Sequence, residues 1–155
     1  MKIIDGLDRA PKTEEINFIQ DVLRISFPQS FLNCIIQCDQ GMPELNILNY
    51  QNPENRANVR ETTGSFFSFI PSNENNIVRF FFSRPGFFPE TLMPIMNPGG
   101  GDYICFDYSV SGFDDKDPPV VLWIHDNPEG KEIADIAINF EEFLNKLESE
   151  EETDF

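Results

Sequence analysis

Pro94-Ile95-Met96-Asn97-Pro98-Gly99-Gly100-Gly101-Asp102-Tyr103-Ile104-Cys105-Phe106-Asp107 is the stretch of sequence that decides the fold. Its prolines and three consecutive glycines indicate a turn, and the apolar run after Asp102 indicates a strand. A second strand is predicted at Val120-Val121-Leu122-Trp123-Ile124-His125-Asp126. Asn139-Phe140-Glu141-Glu142-Phe143-Leu144 then begins a last helix, because Asn139 and Glu142 have the spacing of a capping box.

Two helices are predicted ahead of these strands. Thr13 is a good N-cap, and the apolar residues from Ile16 to Ile25 recur at helical spacing. Pro28 begins the second helix, since proline is tolerated in a first turn, and Gly41 ends it.

The middle of the chain has the pattern of a sheet, with turn-forming clusters between strands and no helical pattern. An antiparallel meander is therefore expected, because parallel strands need crossover connections. The sequence predicts one α+β domain over 1–155, in which an antiparallel sheet of about five to six strands packs on two N-terminal helices and a C-terminal helix, with an acidic tail at 148–155. The strand candidates are Leu45 to Leu48, Ser65 to Ile70, Ile77 to Ser83, Tyr103 to Ser109 and Val120 to His125.

Charge excludes some functions and favours others. Eleven basic and 27 acidic residues give a net charge of −16, which disfavours direct binding of nucleic acid. The same charge favours encounter with basic protein partners, although acidity also serves solubility alone. No segment is long and apolar enough for a membrane span, the N-terminus lacks a secretory signal, and three cysteines are an odd number for a disulfide framework. We therefore expect a cytoplasmic protein that is a monomer or a weak dimer.

The 16 phenylalanines are many for a chain of 155 residues. Neighbouring side chains on a strand face opposite ways. Either both faces of the sheet are covered, which we favour, or some rings are exposed to a partner, with Phe87 and Phe88 as the candidates.

Motifs of catalysis and of metal binding are weak or absent. The glycines before Asp102 fit a turn better than a phosphate loop, because a strand and not a helix follows them. A metal site of Asp102, Asp107, His125 and Asp126 is disfavoured by the single histidine of the chain. Cys34, Cys38 and Cys105 fit small buried residues. We expect no enzyme activity, no catalytic residues, no metal and no cofactor.

An acidic group flanks the last strand patterns and is the candidate partner-binding site. If the loops that carry these residues share one edge, they form a negative patch suited to a basic partner, whereas solvated loops are the alternative. The group consists of Asp114, Asp115, Asp117, Asp126, Glu129, Glu132 and Asp135.

The order of these motifs resembles the SMI1/KNR4, or SUKH, family. The resemblance rests on Gly-Gly-Asp-Tyr-Ile-Cys-Phe-Asp (100–107), Val-Val-Leu-Trp-Ile-His (120–125) and Asn-Phe-Glu-Glu-Phe-Leu (139–144), and Phe-Pro-Gln-Ser-Phe-Leu (27–32) is similar to the N-terminal signature of that family. It implies an α+β fold and a protein-binding function without shared catalytic residues. It further implies an immunity protein that neutralises a cognate bacterial polymorphic or contact-dependent toxin. The acidity favours a basic nuclease domain as that toxin. The alternative is an intracellular scaffold or regulatory module of the SMI1/KNR4 type.

Overall fold

A sheet and four helices organise the chain in this computed structural model, which describes residues 1–84, 86 and 88–150. All strand pairs are antiparallel, so the predicted α+β class with an antiparallel sheet is confirmed. The elements of the described residues are, in chain order, β1 (Ile3–Ile4), α1 (Thr13–Leu23), α2 (Gln29–Ile35), β2 (Met42–Pro43), β3 (Ile47–Gln51), β4 (Asn58–Thr62), β5 (Ser65–Phe66), α3 (Ile77–Ser83), β6 (Leu92–Gly99), β7 (Asp102–Asp107), β8 (Val120–Trp123), β9 (Ile133–Ala137) and α4 (Phe140–Lys146).

The main sheet has the strand order β5-β6-β7-β8-β9, while β1 pairs with β2 and β3 with β4 in two separate ribbons. The three glycines make the tight turn between β6 and β7. Gly99, Gly100 and Gly101 have φ values of 104°, 69° and 93°, which L residues with a Cβ rarely adopt. The glycine run is therefore a hairpin turn, as the sequence predicts.

One face of the sheet carries the larger core, against α1, α2 and α4. Phe31 of α2 lies at its centre and is fully buried. Its ring contacts five other phenylalanine rings at centroid distances of 5.2–5.7 Å. Those rings come from four different parts of the chain, so Phe31 joins the helices to the sheet; they are Phe27, Phe66, Phe69, Phe106 and Phe140.

The opposite face is covered by a smaller aromatic cluster. The ring of Phe88 lies 4.6 Å from that of Trp123, and Phe80 of α3 lies 4.7 Å from Tyr103. Covered faces explain the high phenylalanine content, and Phe88 is buried. Phe87 lies outside the described residues.

The segment Ile77–Ser83 is a helix, so the strand prediction there is wrong. Its run of β-branched and aromatic residues has the composition of a strand. The side chain of Asn76 caps it instead, accepting a hydrogen bond of 2.8 Å from the Arg79 N–H. The first turn is anchored by Ile77, which is fully buried. Ile77 packs in the larger core and Phe80 packs against Tyr103 on the second face, so tertiary packing overrides the local strand propensity.

Strand β6 runs through residues that the sequence analysis assigns to a turn. Proline lacks an N–H donor and is normally excluded from a central strand. Here Pro94 pairs with Cys105 next to a break in register, where the strand bulges. A bulge leaves ladder hydrogen bonds unmade, so proline is tolerated there.

The predicted terminal helices are confirmed with shifted ends. Lys12 and not Thr13 precedes α1, and its N–H donates to Glu15 Oε1 at 2.9 Å. Helix α2 ends at Ile35, well before Gly41. Asn139 caps α4 as predicted, with its Oδ1 accepting from the Glu142 N–H at 2.9 Å.

The start of the expected acidic tail pairs with β3 and β4. Ile47 and Glu148 exchange two backbone hydrogen bonds of 3.0 Å. Arg60 pairs with the Glu148 carboxylate at 3.1 Å and donates to the Ser149 carbonyl at 3.0 Å. Residues 151–155 of the tail lie outside the described residues.

Candidate partner-binding surface

The predicted acidic group is divided between the two ends of β8 and the edge strand β9, so it does not form a single cluster. Loop 108–119 leads into β8, and loop 124–132 leaves it. The two loops therefore lie at opposite ends of a strand of four residues, roughly 13 Å apart along its axis. Asp135 lies between them, exposed on the edge strand β9, where it pairs with Val121.

Loop 108–119 holds three of the seven acids in a compact turn structure. The Tyr108 carbonyl accepts from the Gly112 N–H at 2.9 Å, and the rings of Tyr108 and Phe113 lie 5.3 Å apart. The Asp115 carboxylate accepts from the Asp117 N–H at 2.9 Å. Asp117 in turn accepts from the side chain of Asn139 at 3.2 Å, which ties the loop to the start of α4.

Exposed apolar side chains accompany these acids. Val110 is 88% exposed and Phe113 is 38% exposed. Ile138, which follows β9 at the same end of the sheet, is 71% exposed. A groove of about 460 Å³ lies beside Ile138, between Pro119 and α4. This end of the sheet thus combines apolar and acidic groups.

In loop 124–132, His125, Asp126 and Glu132 make contacts within the protein. His125 Nδ1 lies 2.7 Å from Asp102 Oδ1, and its Nε2 lies 2.9 Å from Asp126 Oδ1. The Gly130 N–H donates to both Glu132 carboxylate oxygens at 2.7 and 3.0 Å. Glu129 is exposed in the same loop.

The surroundings of Asp102 perturb three pKa values. The hydrogen bond to Asp102 raises the pKa of His125, and the charge of Asp126 adds to this. Burial raises the pKa of Glu61, and the charge of Asp102 acts in the same direction. Burial, together with these two carboxylates, raises the pKa of Tyr50 to about 12. The charge of Asp102 in the main sheet thus affects the ionisation of Glu61 and Tyr50 in the β3–β4 ribbon.

The other candidates for chemistry are separated or buried. Asp107 lies at the far end of β7 from Asp102, so it is not part of the contacts around His125. Among the residues that the structure describes, no group of three or more histidine, cysteine or carboxylate side chains is placed to hold a metal ion. Burial raises the pKa of the Cys34 thiol to about 11 and that of Cys105 well above its usual range, which disfavours the thiolate that a nucleophile needs.

None of the helices in the described part of the chain is long and apolar enough to cross a membrane.

Sequence reasoning missed the apolar residues of this surface. Val110 and Ile138 are single apolar residues between polar neighbours, and such a pattern is common on any protein surface. The sequence groups Asp102 with His125 only in a disfavoured metal site, and it does not predict their direct contact, which joins residues 23 apart through strand pairing. The predicted strands β7 and β8 were the available signal, because their antiparallel pairing brings Asp102 close to the residue that follows β8.

Comparison with curated proteins and with solved structures finds no match. The match to a family model covers residues 10–146, which includes both acidic loops, β7, β8 and the cap of α4. The resemblance of the three motifs is thus supported over most of the chain. This chain belongs to the SMI1/KNR4 family (SUKH-1).

Proposed function

We propose that this chain is an immunity protein that binds and neutralises a cognate bacterial polymorphic or contact-dependent toxin. Family membership over residues 10–146 is the observation that carries the proposal, since it supports a toxin-immunity or SMI1-type protein. Within that family, the regulatory scaffold is the alternative function.

The charge of the surface favours a basic toxin domain, such as a nuclease. From Asp107 to Glu142 the chain has ten acidic and two basic residues, a net charge of −8. The seven acids of the candidate site lie in this span, and Asp126 is 84% exposed despite its contact with His125. A basic catalytic domain would be steered to this side of the sheet and held over it.

Neutralisation in this proposal requires only binding. A protein that covers the substrate groove of a nuclease with carboxylates takes the place of phosphates and excludes the substrate. The chain would act at a one-to-one ratio and would need neither a cofactor nor turnover. We place it in the cytoplasm, where an incoming toxin would meet it.

The test begins with the neighbouring gene, because an immunity gene is expected directly after a large toxin gene with a variable C-terminal domain. That C-terminal domain is produced in a sensitive bacterial host with and without this chain. We expect growth to be restored, and a one-to-one complex with a catalytically inactive form of the domain. A Phe31→Asp variant, which disrupts the core, is the matched control and should not protect. Unrestored growth together with no complex would overturn the proposal and favour the scaffold function.

A further inference from the structure

We propose that one end of the sheet is the docking site for that toxin, and that its occupant is a basic protein surface with an apolar side chain between lysines or arginines. This inference rests on the proposed function and narrows it to one of the two acidic loops. We call this site the apolar end face. It consists of Val110, Phe113 and Ile138 with the surrounding acids Asp114, Asp115 and Asp117.

The exposure of apolar side chains distinguishes the two ends of β8. At the apolar end face, Val110 and Ile138 are among the most exposed large apolar side chains of the described residues, at 88% and 71%. At the other end of β8, Ile133 is a large apolar side chain with a smaller exposed fraction, 39%. Interfaces bind through a desolvated apolar centre inside a polar rim. An acidic surface without that centre would steer a partner but hold it weakly.

The parts of the apolar end face are linked in space. Loop 108–119 joins the end of β7 to the start of β8, and Val120 at that start pairs with Ala137, next to Ile138. The hydrogen bond between Asp117 and Asn139 holds the loop against the same corner. Pro119 and Ile138 line one groove there.

A buried polar group under the loop is a second, independent observation. The Tyr108 side chain is 1% exposed, and its hydroxyl makes no hydrogen bond to any of the described residues. Its ring lies 5.3 Å from that of Phe113, and burial, with an added contribution from the charge of Asp115, raises the pKa of Tyr108. Buried hydroxyl groups are nearly always paired, so an unpaired one destabilises the unbound arrangement. A shift of loop 108–119 on binding that gives the Tyr108 hydroxyl a partner would remove that penalty, while a partner cation pairs with Asp115 at the surface.

Charge selects the occupant among the macromolecules that could cover this face. Nucleic acid is repelled by Asp114, Asp115 and Asp117. A second copy of this chain would bring together two proteins of net charge −16. A basic protein surface carries charge opposite to that of the surrounding acids. It can also supply an apolar side chain that packs against Val110 and Ile138.

The experiment measures binding of the inactive C-terminal toxin domain encoded by the neighbouring gene. Val110→Ser/Ile138→Ser is compared with Phe18→Ser/Val22→Ser, a control pair on α1 with exposed side chains of 55% and 38%. We expect the first variant to raise Kd by about tenfold or more, mainly through faster dissociation, and the control to stay within about twofold.

Each other outcome has a distinct meaning. Tight binding by wild type and by Val110→Ser/Ile138→Ser alike would overturn this docking site and leave the immunity function standing. Failure of the wild type to bind would overturn the proposed function, and this inference with it. Sedimentation of the free protein checks self-association. A wild-type dimer that becomes monomeric in Val110→Ser/Ile138→Ser would identify the face as a self-interface and overturn the inference.

Discussion

His125 Nδ1 lies 2.7 Å from Asp102 Oδ1, and the same carboxylate oxygen accepts the backbone N–H of His125 at 3.1 Å. Asp102 begins β7 directly after the glycine turn, whereas His125 follows β8. One carboxylate thus holds both the main chain and the side chain of the neighbouring strand end. A Cβ on Gly101 would come within 3.0 Å of the imidazole ring, so glycine is also needed for this close approach.

The His125 contact predicts that stability decreases as pH rises above neutrality. The folded-state pKa of His125 is raised from 6.5, so its stabilising effect is complete below about pH 6.5 and is lost as pH rises through the folded pKa. The raised pKa of Glu61 acts in the same direction at lower pH. The His125 side chain is 37% exposed, so solvent screening keeps its share below about 1 kcal/mol.

Urea unfolding between pH 5.5 and pH 8 measures this effect. We expect the midpoint to fall with pH in the wild type and to fall less in His125→Gln. An equal slope in both proteins would show that Asp102 does not favour the protonated imidazole.

Replacement of Phe31 tests the aromatic core. Phe31→Ala removes a fully buried ring that contacts five others, and we expect it to lower the free energy of unfolding by about 3–5 kcal/mol. Phe18→Ala is the control, since Phe18 is 55% exposed, and should change stability by no more than about 0.5 kcal/mol. Chemical denaturation gives both values, and similar losses for the two variants would contradict the packing described for Phe31.

The Tyr108→Phe variant tests whether the buried hydroxyl is unpaired. Removing a hydroxyl that has no partner should leave the free protein as stable as before, or more stable by up to about 1–3 kcal/mol. Thermal and urea unfolding of the unbound protein are the measurements. A clear loss of stability would mean that the hydroxyl is paired in solution.

Salt dependence tests the acidic loops in toxin binding. Complementary charge acts mainly on the association rate, which should fall when acids are removed and should fall less at high salt. Stopped-flow association of the inactive toxin domain is measured at low and high salt. The variants are Asp114→Asn/Asp115→Asn/Asp117→Asn and Glu129→Gln/Glu132→Gln. Rates and salt slopes equal to the wild type in both variants would rule out the acidic surface as the binding site.

Local patterns were enough for some elements and not for others. Helices α1, α2 and α4 and strands β7 and β8 were predictable, because each has a regular apolar pattern and a cap or turn at its start. Strands β4 and β9 were missed since β4 is mostly polar and β9, with the sequence Ile-Ala-Asp-Ile-Ala, has three residues of low strand propensity. Helix α3 and strand β6 depend on contacts between residues distant in sequence. These contacts override the strand-like composition of α3, and they keep β6 in the sheet despite its two prolines.

The candidate site was predictable in composition but not in arrangement. The acids of both loops were identified from their density in the sequence. Their separation to opposite ends of β8 follows from the strand order, and the exposure of Val110 and Ile138 follows from the packing around them. Neither property is encoded in a local pattern.

The bridge between Ile47 and Glu148 has a consequence for synthesis on the ribosome. The side chains of Asn49 and Glu148, which meet beside this bridge, are 99 residues apart in the chain. At translation rates of about 5–20 residues per second, β3 waits roughly 5–20 s before that partner emerges. During this interval the outer edge of β3 is unpaired in the nascent chain, and an unpaired edge is open to pairing with other chains. A chaperone bound to the β3–β4 ribbon during this interval would cover that edge.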